Sequence, residues 1–279
     1  MLALTMTETG PGVVLQHRSP MVYLDHWALR KLSEDNDLAS RLTKILHDRD
    51  GTLAISWLNL GEYARVSDPD QRRAAEQFVE GILPAVFCID VDLAAVDQRE
   101  GLRDALPHAD RDLALLFVNA GKQGLKAFTV MGLFDQLNNE SVARTKDRLA
   151  AVIQGRLELL RQTHSEDDVF RKAVLHANHP EAIQATTRTR AIVRTLAATF
   201  FPDLKRIITP NDAIDFLHAA IPVTYCDVVL LDGSTADLVE RARRKLDTTD
   251  IRIATVFPGR GDGLERFLVF LEKTQKSST

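Results

Sequence analysis

The sequence predicts an α/β protein: a three-layer architecture with a central, mostly parallel sheet and a large all-helical insertion. Three observations carry the α/β assignment. Short apolar runs alternate with helical periodicity at both ends of the chain, as strands joined by crossover helices do. Those runs are continuously apolar, the pattern of strands covered on both faces. Residues 92–204 lose the strand signal and carry long segments of 3.6-residue period instead. The α/β core is therefore placed at 21–91 plus 205–274, with 92–204 as the insertion.

Each element has a local reason. Met21-Val22-Tyr23-Leu24 is a buried strand entered through Ser19-Pro20 and closed by Asp25. Helical spacing runs over 27–46, with Glu34-Asp35-Asn36-Asp37 as a break between two helices. Asp50-Gly51 marks a turn. Leu53-Ala54-Ile55 is the second strand, and Ser56 is a helix N-cap for the segment carrying Glu62. Ser67-Asp68-Pro69-Asp70 opens a helix that ends at Pro84, before a third strand over 86–89. In the insertion, helices are expected over 113–120, 142–160, 169–177 and 182–200. A helix over 211–219, a strand over 228–231, a helix over 236–246, a strand over 251–255 and a helix over 264–273 complete the core.

Composition bounds the function. The 279 residues carry 35 Lys and Arg against 39 Asp and Glu, a net charge of −4. Bulk positive charge cannot coat nucleic acid here, so any such contact needs a local patch. Cys88 and Cys226, the only cysteines, sit in apolar runs and read as two buried thiols. Residues 1–20 lack a signal-peptide pattern, and no apolar run approaches the roughly 18 residues that suggest a membrane span. A cytoplasmic protein with no membrane partner is the expectation.

Acids gather at predicted strand ends. Asp25 and Asp232 each follow a strand directly, and Glu62 lies on the helix after the second strand. Asp212 and Asp215 share one helix face at i and i+3. Ligand sites in open parallel sheets form at the strands' carboxyl ends, so these acids can converge on one rim. Close carboxylates repel and raise one another's pKa, and a divalent cation relieves this. With hard oxygen donors only, Mg²⁺ or Mn²⁺ is the natural ion. Local alternatives stand beside each reading: an N-cap for Asp25 and for Asp232, a first-turn acid for Asp212, and solvent-facing helix residues for Glu62 and Asp215. Asp227, at its strand's start, reads as a structural cap; Asp90 and Asp92 read as loop residues near the rim.

Four segments, in order, resemble the motifs of PIN-like domains: Val22-Tyr23-Leu24-Asp25, Ile55-Ser56-Trp57-Leu58-Asn59-Leu60-Gly61-Glu62, Asn211-Asp212-Ala213-Ile214-Asp215-Phe216-Leu217-His218, and Asp227-Val228-Val229-Leu230-Leu231-Asp232. The resemblance implies a metal-dependent ribonuclease, a class found among bacterial toxins and RNA-processing enzymes. It implies Asp25, Glu62, Asp215 and Asp232 as catalytic metal-binding residues, with Asp212 assisting. It also implies Mg²⁺ or Mn²⁺ as cofactor and RNA as substrate, and leaves room for an antitoxin or other protein partner and for a homo-oligomer. His26-Trp27 follow Asp25 where the family usually has a small hydroxyl residue.

Other motifs were weighed against it. His26 and His218 adjoin motif residues and could move a proton or contact phosphate. His176 and His179 have helical spacing that zinc could use, without further clustered ligands. Gly259-Arg260-Gly261-Asp262-Gly263 looks like a phosphate loop but lacks the strand-to-helix fingerprint and the Lys of the known types, and reads as a flexible loop. Arg144, Lys146, Arg148, Arg156 and Arg161, then Arg188, Arg190 and Arg194, then Arg241, Arg243, Arg244 and Lys245 are solvated helix faces or a phosphate-binding wall. The alternatives to a ribonuclease are a non-catalytic PIN-like binding or scaffold protein and a metal-dependent DNA nuclease or phosphatase.

Overall fold

Full burial on both faces decides the architecture. Every residue of Met21–Leu24, Thr52–Ile55 and Val228–Leu231 is buried, as in strands sandwiched between helical layers. A computed structural model of the chain describes residues 1–7, 10–92, 107–121, 124–137, 140–166, 188–200, 207–247 and 251–274.

The chain opens with an antiparallel hairpin, β1 (Leu2–Thr7) and β2 (Gly10–Leu15). The central sheet follows: β3 (Met21–Leu24), β4 (Thr52–Ile55) and β5 (Val86–Cys88). After the insertion come β8 (Val228–Leu231) and β9 (Thr255–Pro258). Its order is β5-β4-β3-β8-β9 and all its pairings are parallel, with Tyr23 opposite both Ala54 and Val229. The core helices are α1 (His26–Ser33), α2 (Asn36–Arg49), α3 (Trp57–Tyr63) and α4 (Pro69–Ile82). The insertion contributes α5 (Arg111–Leu116), the strands β6 (Val118–Gly121) and β7 (Gly124–Phe128), α6 (Leu133–Leu137), α7 (Glu140–Glu166) and α8 (Arg188–Phe200). The last core helices are α9 (Pro210–Tyr225), α10 (Gly233–Leu246) and α11 (Gly263–Lys273).

Strand side chains alternate between faces, so the sheet carries two cores. Tyr23, Ala54, Phe87 and Val229 pack with Ile153, Ile192, Phe216 and Val239, from α7, α8, α9 and α10. Val22, Leu53, Val86 and Leu230 pack with Leu29, Leu46, Val79, Phe134 and Leu268, from α1, α2, α4, α6 and α11. Helices of the insertion thus supply part of the covering on both faces.

Several expectations are corrected. The insertion is not all-helical: β6 and β7 pair antiparallel, so the helix expected over 113–120 stops at Leu116. Phe117 ends it, with its carbonyl accepting from Thr129 N–H at 2.7 Å. The last strand lies at Thr255–Pro258, not 251–255, because the Arg243 guanidinium takes up the carbonyls of Ile253 and Ala254. Its Pro258 suits an edge strand. The β1–β2 hairpin was not anticipated. The predicted break over 34–37 is present, with Asp35 capping α2. Both cysteines are buried and free. The segment 169–177 and the His176/His179 pair lie outside the described residues. Among the described residues no helix is long and apolar enough to cross a membrane.

Buried Glu76 on α4 ties the insertion down: its carboxylate accepts from Gly132 N–H at 3.0 Å and Phe134 N–H at 2.8 Å. Removing it strands two donors, and hydrogen bonds to charged groups contribute about 1.5–3 kcal/mol each. Glu76→Ala is therefore expected to lower stability by at least about 2 kcal/mol, read as a reduced urea midpoint.

Candidate active site at the carboxyl edge of the sheet

The chain runs outward from β3 to β4 and β5, then returns to build β8 and β9 on the other side. The β3/β8 boundary is the point where strand order reverses, and loops there diverge to leave a crevice. Asp25 and Asp232 follow these two strands directly.

Asp25 is 7% exposed and uses both oxygens locally. Oδ1 accepts from Ala28 N–H at 2.8 Å, capping α1. Oδ2 accepts from Asp232 N–H at 2.5 Å, joining the ends of β3 and β8. Burial pushes its pKa up to about 6; the bond from Ala28 and the nearby His218 partly oppose this. Asp232 caps α10: Oδ1 accepts from Ser234 N–H at 2.9 Å, Ser234 Oγ at 2.5 Å and Thr235 N–H at 3.2 Å. Burial would raise its pKa, but the bonds from Ser234 and Thr235 outweigh that and hold it below the usual range. The capping roles expected as alternatives for Asp25 and Asp232 are thus present.

Glu62 reaches the rim from α3. Asn59 Oδ1 accepts from Ser56 N–H and Ser56 Oγ, both at 3.0 Å, and Asn59 Nδ2 donates to Leu24 O at 3.0 Å. The start of α3 is thereby pinned to the residue before Asp25. From α9, His218 Nε2 stands 3.0 Å from Glu62 Oε2, while Nδ1 shares a 2.6 Å hydrogen bond with Tyr23 OH. His26 Nδ1 approaches the same Glu62 oxygen at 3.8 Å. Burial opposes charging His218, but Glu62, Asp25 and Asp215 together raise its pKa.

Asp215, one turn before His218, is exposed. Among the described residues its carboxylate has no hydrogen-bond partner. Partial burial raises its pKa; His218 opposes this, and Asp232, Glu62 and Asp212 add to it. Asp25, Glu62, Asp215, Asp232 and His218 therefore share one electrostatic neighbourhood. Asp212 sits at its margin: Oδ2 accepts from Thr209 N–H and Thr209 Oγ1, both at 2.8 Å, in a capping box that starts α9.

Tyr23, Asn59 and Ser56 make the supporting network, and only Ser56 had a sequence signal, as a cap. Asp227 is structural as expected, accepting from Ser19 Oγ at 2.7 Å and Met21 N–H at 2.6 Å. Asp90 and Asp92 line a separate recess with Trp57, His108, Asp110 and Asp112. The glycine loop leaves β9 and enters α11. A Cβ on Gly263 would lie 1.8 Å from Pro258 O, so only glycine fits. Several basic residues are spent within the protein: Arg243 on main-chain carbonyls, Arg188 on Arg252 O at 2.7 Å, and Arg156 near Asp92 at 3.5 Å.

The donor set suits a hard divalent cation, since carboxylate oxygens dominate and thiolates are absent from the rim. Among the described residues no group of three or more His, Cys, Asp or Glu side chains is placed to hold a metal ion. Mg²⁺ commonly takes only one or two carboxylates directly and keeps several waters, so it would need fewer protein ligands than such a group supplies. Compared with protein-family profiles, curated proteins and solved structures, the chain matches none of them.

A pH dependence follows from Asp25. Its folded pKa of about 6 exceeds the reference 3.8, so its contribution to stability is full below about pH 4 and is lost as pH rises through about 6. The shift corresponds to about 3 kcal/mol. In metal-free protein, stability relative to Asp25→Asn is expected to swing toward the variant from pH 4 to pH 7, read by urea denaturation at each pH.

Proposed function

We propose that the protein is a PIN-like, Mg²⁺- or Mn²⁺-dependent endoribonuclease. The observation that supports the reading is that Asp25 and Asp232 close neighbouring parallel strands at the switch point and are hydrogen-bonded there, with Glu62 held beside His218 and Asp215 within electrostatic reach of Asp232 and Glu62. The four motifs occur in the family's order. The sheet order β5-β4-β3-β8-β9 puts the two strand-end acids side by side.

Asp215, Glu62 and the uncapped oxygen of Asp232 would hold the cation, with Asp25 fixing the distance between strand ends and Asp212 assisting from the margin. When bound, such an ion lowers the pKa of water and stabilises charge on a phosphodiester in displacement. The protein's own residues orient and restrain. His218 holds Glu62 against the rim, Tyr23 holds His218, and Asn59 fixes the helix that carries Glu62. Exposed Asp215 is the carboxylate open to solvent and to substrate.

A second reading, a non-catalytic PIN-like binding protein, draws on the capping bonds that occupy both oxygens of Asp25 and one of Asp232. Asp215→Asn separates the two. Asp215 is exposed and makes no hydrogen bond among the described residues, so the change is expected to alter stability by less than about 0.5 kcal/mol. With Mn²⁺ and single-stranded RNA, wild type is expected to cleave and Asp215→Asn to be at least 100-fold slower. Equal cleavage by both proteins sinks the mechanism, and cleavage by neither supports the binding protein.

A further inference from the structure

Trp27 stands two residues after Asp25, in the first turn of α1, and is 38% exposed. It belongs to neither of the two apolar cores. Helical side chains lean toward the helix N-terminus, so a first-turn residue projects over the helix start, here the rim of acids. The ring is nonetheless held in place. A Cβ on Gly259 would lie 2.5, 2.7 and 3.0 Å from three atoms of its six-membered ring, so that main chain is pressed against the indole. Gly259 N–H in turn donates to Leu231 O at 2.6 Å, fixing the loop to the strand end beside Asp232. Arg260, the next residue, lies across Gly233 and pairs with Asp237 at 2.7 Å.

A large aromatic that is exposed, braced by main chain and set beside a carboxylate rim has a specific use. An indole presents a π surface to which any unpaired base can stack, and such contacts contribute about 1–3 kcal/mol per base. We propose that Trp27 is the stacking platform for one unpaired nucleobase of a single-stranded RNA substrate, next to the phosphate presented to the acids. The assignment rests on the ribonuclease reading for its ligand class, and it adds a residue that reading does not use. It also implies single strands as the preferred substrate, because bases in a duplex are already stacked on one another.

The chain has two tryptophans, and Trp57 is half-buried against the core, so indole emission reports on Trp27 by difference. The test titrates a cleavage-resistant phosphorothioate single-stranded oligoribonucleotide into the full wild-type chain with Mg²⁺. Three comparisons run alongside: an abasic oligomer of the same length, a duplex, and the Trp27→Ala and Trp27→Phe variants. The single strand is expected to quench emission saturably, and the abasic oligomer and the duplex to leave it nearly unchanged. The quench should vanish in Trp27→Ala. By anisotropy of a labelled strand, Trp27→Ala should bind about 10-fold more weakly, with Trp27→Phe recovering most of the loss. Equal quenching by the abasic oligomer, or unchanged affinity in Trp27→Ala, overturns the platform. The outcomes stay distinct from those of the cleavage assay. Cleavage lost in Asp215→Asn without any Trp27 effect keeps the nuclease and removes the platform. Trp27-dependent binding with no cleavage by wild type does the reverse.

Discussion

The carboxylate of Asp25 is the constraint on which the rim depends. One oxygen starts α1 and the other holds the main chain of Asp232, so a single buried group sets the spacing between the ends of two neighbouring strands. Those strands flank the point where the sheet changes direction. A backbone-bonded carboxylate can stay charged in a buried place, but here burial is the larger influence and its pKa is raised.

The other acids are arranged around that brace with different freedoms. Asp232 is committed on one oxygen to α10, and Asp212 is committed to the start of α9. Glu62 is steered by His218, which Tyr23 positions from β3. Asp215 alone of the set is exposed and without a hydrogen bond among the described residues. This gradation, from fixed brace to open carboxylate, suits a cation that takes few protein ligands and brings its own waters. It also changes the meaning of the net charge of −4. Several basic residues are spent on carbonyls or acids of the protein itself, so on the proposed reading the attraction of a polyanion would fall more to the cation and to stacking.

Much of this was legible locally. A continuous apolar run closed by Asp identifies β3 and β8 and their terminal acids without reference to the rest of the chain. Ser56, Asp35 and Asp68 announce their helices because capping is a short-range interaction. What stayed hidden depends on distant partners. Tyr23 and His218 are 195 residues apart in sequence, and nothing near either predicts their bond. The shift of β9 follows from a side chain on α10 reaching two carbonyls ahead of the strand. The hairpin at 2–15 lies outside the strands expected from the sequence, although Val13-Val14-Leu15 is strand-like. Trp27 reads as a departure from the family pattern in sequence, and only its packing against Gly259 shows it braced at the rim.

On the proposed reading this rim is a divalent-cation site completed by Asp215. Mn²⁺ titration followed by electron paramagnetic resonance tests it without any substrate. Wild type is expected to take up Mn²⁺ saturably at a site that Asp215→Asn weakens at least 10-fold while its circular dichroism spectrum is unchanged. Absence of saturable uptake by wild type, or equal uptake by both proteins, would contradict the account.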